Sequence, residues 1–172
     1  FIDQSTQDRI EYKSYNENGI TVTMESLAEI DTISKLVGKN RALTFDLHAL
    51  QSQLVFHNLT CLSIMTHLWK KFHSENPNVI PVFPDDGAKK RFTTLLGITN
   101  ALCFTKSRGP DGNQRDVTLE GPIDEKIASN GVVIMDDLVR TGKTLQSAGE
   151  FLKKYTSNIY IMFSHAPFEP VA

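Results

Sequence analysis

The chain has 172 residues, 40% of them hydrophobic and 22% charged, with a formal net charge of −2. That is the composition of one globular domain or parts of two. It carries no cluster of Lys and Arg interleaved with aromatics to serve as a nucleic-acid footprint, and no apolar run near the ~20 residues of a membrane-spanning helix. The two cysteines, Cys61 and Cys103, are far apart and lack metal-ligand spacing, so buried reduced thiols are expected. The sequence opens on Phe1 with no initiator Met or signal peptide, and a truncated or partly observed polypeptide is expected, whose missing N-terminus would hide any transit peptide.

Residues 1–20 are polar and turn-rich (Asn16-Glu17-Asn18-Gly19) and predict a surface loop. Met24, Leu27, Ile30, Ile33 and Val37 then mark one face of a helix, with Glu25 in its first turn and Gly38 as its left-handed stop. Residues 41–45 read as a strand ending in Asp46-Leu47-His48. Residues 49–56 mix apolar and amide side chains and fit no single state. Asn58-Leu59-Thr60 matches a glycosylation sequon, discounted because nothing else indicates secretion. Residues 66–73 predict a short helix anchored by Trp69, followed by the turn Glu75-Asn76-Pro77-Asn78. His57, His67 and His73 stand in helical or turn contexts and read as structural.

The next strand, residues 79–83, ends in Pro84-Asp85-Asp86-Gly87. Asp86 is expected to cap the helix at 88–96, which leaves Asp85 for substrate. Lys89-Lys90-Arg91 reads mostly as a solvated helix face, with Arg91 able to reach a phosphate. A strand at 101–106, a turn-rich loop after it and a returning strand at 115–119 suggest a β-ribbon or flap. Residues 123–128 fit one or two helical turns.

Val132-Val133-Ile134-Met135 is an apolar, mostly β-branched run, the pattern of a buried strand in a parallel sheet. Asp136-Asp137 follows at its end, then a short loop, then a helix at 143–155 whose inner face is Leu145, Ala148, Leu152 and Tyr155. A last strand at 158–163 leads into Ser164-His165-Ala166-Pro167. Strands alternate with helices throughout, which predicts an α/β fold on a parallel sheet.

In such a sheet ligands bind beyond the carboxyl ends of the strands. Three strands end in Asp46/His48, Asp85/Asp86 and Asp136/Asp137, and Lys106 and Arg108 stand at the end of a fourth. Asp136 and Asp137 can accept hydrogen bonds from two neighbouring sugar hydroxyls. Arg140, Thr141, Gly142, Lys143 and Thr144 can cradle a phosphate with hydroxyls, a guanidinium and the backbone N–H groups that open the next helix. A phosphorylated pentose presents both groups together. Carboxylates beside Lys and Arg also suit Mg²⁺ and a polyphosphate. Gly142-Lys143-Thr144 imitates the end of a Walker A loop, but Asp137 stands where that loop needs Gly, so it is not one.

The segment 132–144 resembles the phosphoribosyl-diphosphate (PRPP) binding signature of phosphoribosyltransferases and PRPP synthetases: a strand, an acidic pair, two apolar residues and a small-residue loop ending in Thr144. The resemblance widens to residues 41–170. Thr44-Phe45-Asp46-Leu47-His48 resembles the Asp-Leu-His segment of the synthetases, and Phe83-Pro84-Asp85-Asp86-Gly87-Ala88 their Pro-Asp loop. Lys106-Ser107-Arg108 resembles the Lys-x-Arg of their catalytic loop, and Ser164-His165-Ala166-Pro167-Phe168-Glu169-Pro170 their Thr-His-Gly segment. Pro-Asp-Asp-Gly-Ala and Asp-Asp-Leu-Val look closest to the plant-type, or class II, form. Where the commoner synthetases carry an acid, this chain has Arg140, so no role of that acid transfers.

The resemblance implies a type I phosphoribosyltransferase fold in tandem domains, with residues 1–62 the last part of the first and 63–172 most of the second. It implies Mg²⁺-dependent transfer of diphosphate from ATP to the anomeric hydroxyl of ribose 5-phosphate, giving PRPP and AMP for nucleotide biosynthesis. Lys106 and Arg108 would be catalytic, Arg9 and His48 would contact ATP, and His48 and Asp85 would be associated with the metal. Asp136, Asp137 and residues 140–144 would bind ribose 5-phosphate. A cytoplasmic, dimer-based homo-oligomer without nucleic-acid or membrane partners is expected. The rivals are a nucleobase phosphoribosyltransferase and a non-catalytic regulatory subunit of a synthetase.

Overall fold

The structure, a computed structural model, describes residues 13–14, 22–23, 25–48, 53, 56–108, 115–121 and 126–167, with the backbone alone at 13–14, 22–23, 25–29, 106–108 and 115–117. The chain forms two compact units, Phe1–Ser63 and Ile64–Ala172.

In the first unit β1 (Lys13–Ser14) pairs antiparallel with β2 (Val22–Thr23). Helix α1 (Glu25–Val37) follows the expected apolar stripe, and Ile30 on that stripe is buried. Gly38 ends it at φ 61°, and its N–H donates to the Ser34 carbonyl at 2.9 Å, as a left-handed helix stop requires. Strand β3 (Ala42–Phe45) runs parallel to β4 (Leu59–Leu62) in the register Ala42↔Leu59 to Phe45↔Leu62. Strand β4 is an element that the sequence pattern does not announce.

The second unit is a five-stranded sheet between helices. Its elements are α2 (Ile64–Glu75), β5 (Ile80–Phe83), α3 (Asp86–Leu96), β6 (Leu102–Arg108), β7 (Arg115–Glu120), α4 (Lys126–Asn130), β8 (Val132–Leu138), α5 (Lys143–Leu152) and β9 (Ile159–His165). The strand order is β7-β6-β5-β8-β9; all neighbours are parallel except β7, which folds back antiparallel on β6. From β5 the chain steps out to β6 on one side, and later returns to lay β8 and β9 on the other. The β5/β8 junction is therefore the point at which strand order reverses, where open α/β sheets form a ligand crevice.

Strand β8 is buried on both faces, which is why it reads as an unbroken apolar run. Val133 and Met135 pack with Met65 and Trp69 of α2 and Ala88 and Phe92 of α3. Val132 and Ile134 pack on the opposite face with Leu145, Ala148 and Leu152 of α5. Phe83, Phe92, Met65 and Leu152 are fully buried, each contributing ~1.5–3 kcal/mol relative to exposure. The chain enters β8 through Gly131 at φ 73°, where a Cβ would lie 2.8 Å from the carbonyl oxygen of Asn158, so glycine is required for the approach to β9. Among the described residues no helix is long and apolar enough to cross a membrane.

Candidate functional site

The acidic pair lies inside β8 rather than after it, because the strand stays paired with β9 to its last residue, Leu138 opposite His165. Successive strand residues start toward opposite sides of a sheet, yet the two carboxylates stay close enough to interact. Asp137 continues the Val133–Met135 face and is fully buried, forming an ion pair with Arg91 of α3. Asp136 continues the Val132–Ile134 face toward α5 and is only half-buried. The Asp137 N–H donates to Asp136 Oδ1 at 2.9 Å. Burial, then the neighbouring Asp137 and Asp85 carboxylates, push the Asp136 carboxyl up to about 7.

From β8 the chain turns into α5. The Val139 N–H donates to the His165 carbonyl at 2.8 Å, fixing the loop against the end of β9. Arg140 is half-buried, and Thr141, Lys143 and Thr144 are exposed. Gly142 takes φ 74° at the helix start, without a side-chain cap, and its carbonyl accepts the first helical bond, from Gln146 N at 2.8 Å. The helix has no acidic residue in its first turn. Its positive end therefore opens toward solvent beside Asp136, flanked by Arg140, Thr141 and Thr144, a cradle that favours an anion.

Across the junction, β5 ends at Phe83 and is followed by buried Pro84 and exposed Asp85. The expected cap is corrected here. Helix α3 begins at Asp86, two residues earlier than the apolar pattern indicates, so the capping residue is Asp85: its backbone is extended (φ −165°, ψ 173°) and Oδ1 accepts from Ala88 N at 2.9 Å. Asp86 stands in the first turn, with the Cys103 Sγ 3.8 Å from its Oδ1. Burial, and after it Asp86, raise the Cys103 thiol to about 11, so this cysteine stays a thiol; both cysteines are free.

Arg91 is the residue whose role sequence reasoning misjudged. It does not belong to the solvated face of α3: its side chain is 16% exposed and holds Asp137. The signal was present in the helical spacing, since Arg91 lies three residues after buried Ala88 and beside buried Phe92, on the inner side of the helix.

Lys106 and Arg108 lie within the β6–β7 ribbon, opposite Val117 and Arg115, and their backbone alone is described. In the first unit Asp46 is buried and left-handed at φ 39°, a conformation uncommon outside glycine and tolerated by Asp, and His48 follows half-buried. Arg9, the loop at 109–114 and residues 168–170 lie outside the described residues. Among the described residues no group of three or more His, Cys, Asp or Glu could hold a metal by itself.

The site thus joins a carboxylate near neutrality, an uncapped helix N-terminus and a second carboxylate loop at one strand-order reversal. No protein-family model matches the chain. It is 35% identical over 153 residues, 84% of its length, to the mitochondrial ribose-phosphate pyrophosphokinase 3 of Spinacia oleracea, and 32% identical over 142 residues to ribose-phosphate pyrophosphokinase 4 of Arabidopsis thaliana. The chain is a homologue of the ribose-phosphate pyrophosphokinases. It spans 35% and 40% of the length of these two relatives. Its fold matches that of the phosphoribosylpyrophosphate synthetase from Mycobacterium smegmatis with a TM-score of 0.69 at 18% identity, covering 99% of this chain and 53% of that one. The fold is accordingly the α/β fold of that synthetase, matched over about half of its length.

Proposed function

We propose that the protein is a ribose-phosphate diphosphokinase, transferring the β,γ-diphosphoryl group of ATP to the anomeric hydroxyl of ribose 5-phosphate. The observation that carries this reading is the placement of Asp136 beside the uncapped N-terminus of α5, both reached from one strand. A sugar phosphate matches that pairing: the ribose hydroxyls donate to Asp136, and the 5′-phosphate takes the N–H groups and side chains of Arg140, Thr141, Gly142, Lys143 and Thr144.

The anomeric oxygen then attacks the β-phosphorus of ATP and AMP leaves. Little covalent chemistry falls to the protein in such a transfer, so its residues act by positioning and by charge. Lys106 and Arg108 are assigned to the transferred group and the leaving AMP, and Arg9 and His48 to ATP, all on the strength of the motif resemblance. The donors fit Mg²⁺, which takes one or two carboxylates and completes its shell with water and substrate phosphates rather than a protein cage. Asp85 is exposed at the crevice and would hold it there; His48 is assigned to metal by the motif resemblance alone. When bound, Mg²⁺ neutralises charge on the phosphoryl oxygens. A cytoplasmic, dimer-based homo-oligomer serving nucleotide biosynthesis belongs to the same proposal.

The test is AMP release from ATP, Mg²⁺ and ribose 5-phosphate by the full-length protein, beside Lys106→Ala. AMP formed only with ribose 5-phosphate, and reduced about a hundredfold or more in the variant, is the expected result. A folded protein that releases no AMP sinks the proposal. Base-dependent consumption of PRPP would then point to a nucleobase phosphoribosyltransferase.

A further inference from the structure

We propose that the second unit carries a further small-molecule site at the amino-terminal edge of its sheet, a pocket between the α2–β5 and α3–β6 connections that takes a neutral nucleobase or nucleoside. The inference goes beyond the sugar-phosphate reading and does not rest on it.

The chain builds this pocket where two helix-to-strand connections run side by side. Helix α2 ends at Glu75, and Asn78 and Val79 carry the chain into β5. Helix α3 stops at Gly97, whose left-handed backbone (φ 66°) donates its N–H to the Thr93 carbonyl. The Ile98 N–H donates to the same carbonyl at 3.0 Å, and Thr99 and Asn100 lead on toward β6. Because β5 and β6 are neighbours in the sheet, the two connections flank one hollow, and Lys126 and Asn130 of α4 close a third side. Its volume is about 520 Å³, inside the ~300–1,000 Å³ of small-molecule sites. The hollow meets β5 at its start, Ile80, whereas the sugar-phosphate crevice lies beyond its end, Phe83. The length of the strand, ~13 Å at the usual rise, separates the two.

Three features of the lining select the ligand. The floor is apolar and aromatic: Trp69, Val79, Ile98 and Leu102 are buried, and the His73 ring lies 4.7 Å from that of Trp69, tilted by 37°. Such rings are platforms on which the flat face of a base packs. The rim is made of neutral polar groups. Asn78, Thr99 and Asn100 are exposed and Asn130 is half-buried. Carboxamides both donate and accept, which complements the mixed donor and acceptor edge of a base. The electrostatics argue against a phosphate. The carboxyl end of α3, the negative end of its dipole, borders the hollow at Leu96 and Gly97. Among the described lining residues there is no arginine, and Lys126, the one lysine, is engaged within the protein. The α5 cradle is built for an anion, and this hollow is built for an uncharged ring.

The experiment titrates adenosine, guanosine, cytidine and uridine, their free bases and their 5′-monophosphates into the full-length protein by calorimetry. At least one nucleoside or base is expected to bind with a dissociation constant of about 100 µM or tighter, and its 5′-monophosphate about threefold or more weakly than that. Thr99→Trp, at an exposed position, fills the hollow and is expected to weaken the binding about thirtyfold or more. Asn100→Ala removes one amide from the rim and is expected to weaken it about fivefold, the effect of one uncharged hydrogen bond. Neither side chain is buried, so both variants should keep the wild-type melting temperature. No binding of any nucleoside or base up to ~5 mM overturns the proposal. Binding that both variants leave intact would place the ligand elsewhere on the protein, and overturns it too. A monophosphate that binds more tightly than its nucleoside, and is weakened by the same two variants, would overturn the choice of a neutral ligand.

Discussion

Two helices begin at the same crevice and begin differently. Helix α3 closes its own N-terminus: Asp85 folds its carboxylate onto Ala88 N, and Asp86 adds a second negative charge in the first turn. Helix α5 starts at a left-handed glycine, without a side-chain cap and without an acid in its first turn. Both carry the positive end of a helix dipole. Of these two, α5 is the one without a carboxylate at that end, and it lies beside Asp136. The β5–α3 loop is satisfied by a carboxylate of the chain itself, whereas at the β8–α5 loop the Lys143 N–H has the Thr141 hydroxyl at 3.4 Å and no acid, the arrangement on which the proposed phosphate site rests.

The most direct way to break this contrast is to give α5 what α3 already has. Thr141→Asp places a carboxylate at the open helix start, where it satisfies the N–H groups and repels a phosphate. Ribose 5-phosphate affinity is expected to fall about a hundredfold, equivalent to ~2.7 kcal/mol, with the melting temperature unchanged or raised. Unaltered affinity in a calorimetric titration would show that the phosphate does not bind there.

A smaller effect separates the carboxylates by pH. The folded protein holds Asp136 up at about 7, above its ordinary 3.8, because burial and the Asp137 and Asp85 charges oppose its ionisation. The folded state therefore binds the extra proton. Its contribution to stability is fully present below the unfolded pKa, near 4, and is lost as pH rises toward 7. Asp136→Asn removes that loss and is expected to stabilise the ligand-free protein by ~1–2 kcal/mol at pH 8, with no gain at pH 4. Equal melting shifts at both pH values would contradict the assignment. Ribose 5-phosphate affinity of the wild type should rise through the same interval, since the sugar hydroxyls need the ionised acceptor.

The smallest effect sharpens the description of α3. Asp85→Ala loses the cap and should cost ~1 kcal/mol of stability, whereas Asp85→Asn, which caps as well, should cost a few tenths. Denaturant unfolding of the two variants decides it; equal losses would mean that the carboxylate charge, not the cap, is what α3 requires.

Much of this architecture was legible in the sequence because its periodicities are long or unbroken. The β8 run and the α1 stripe each rest on four or more apolar positions, the α5 face on Leu145, Ala148 and Leu152 with Tyr155 exposed beyond the helix end, and the parallel α/β class follows from their alternation. Strand β4 was not legible: Leu59-Thr60-Cys61-Leu62 is short and half exposed, and it becomes a strand through pairing with β3, which is tertiary information. The end of β8 was misplaced for a related reason. Two adjacent acids read as a loop, and only pairing with β9 keeps them in the strand. The site was legible as a list of residue types at strand ends. The burial of Asp137 against Arg91 was not, because it depends on an arginine forty-six positions earlier in the chain.

The crevice also has a consequence for how the protein comes to be folded. Its two walls, β5 and β8, are neighbours in the sheet but far apart in sequence, with Ile80 paired to Val132 and Val82 to Ile134. A partly folded chain that has made β5, α3 and the β6–β7 ribbon has local contacts but no site, and closing the long loop to β8 is the entropically slow step. Recognition and completion of the central sheet are then one event. A ligand that bridges these walls draws on the population in which the whole sheet is formed, so it should slow amide hydrogen exchange in β5 and β8 together, well beyond the residues it touches.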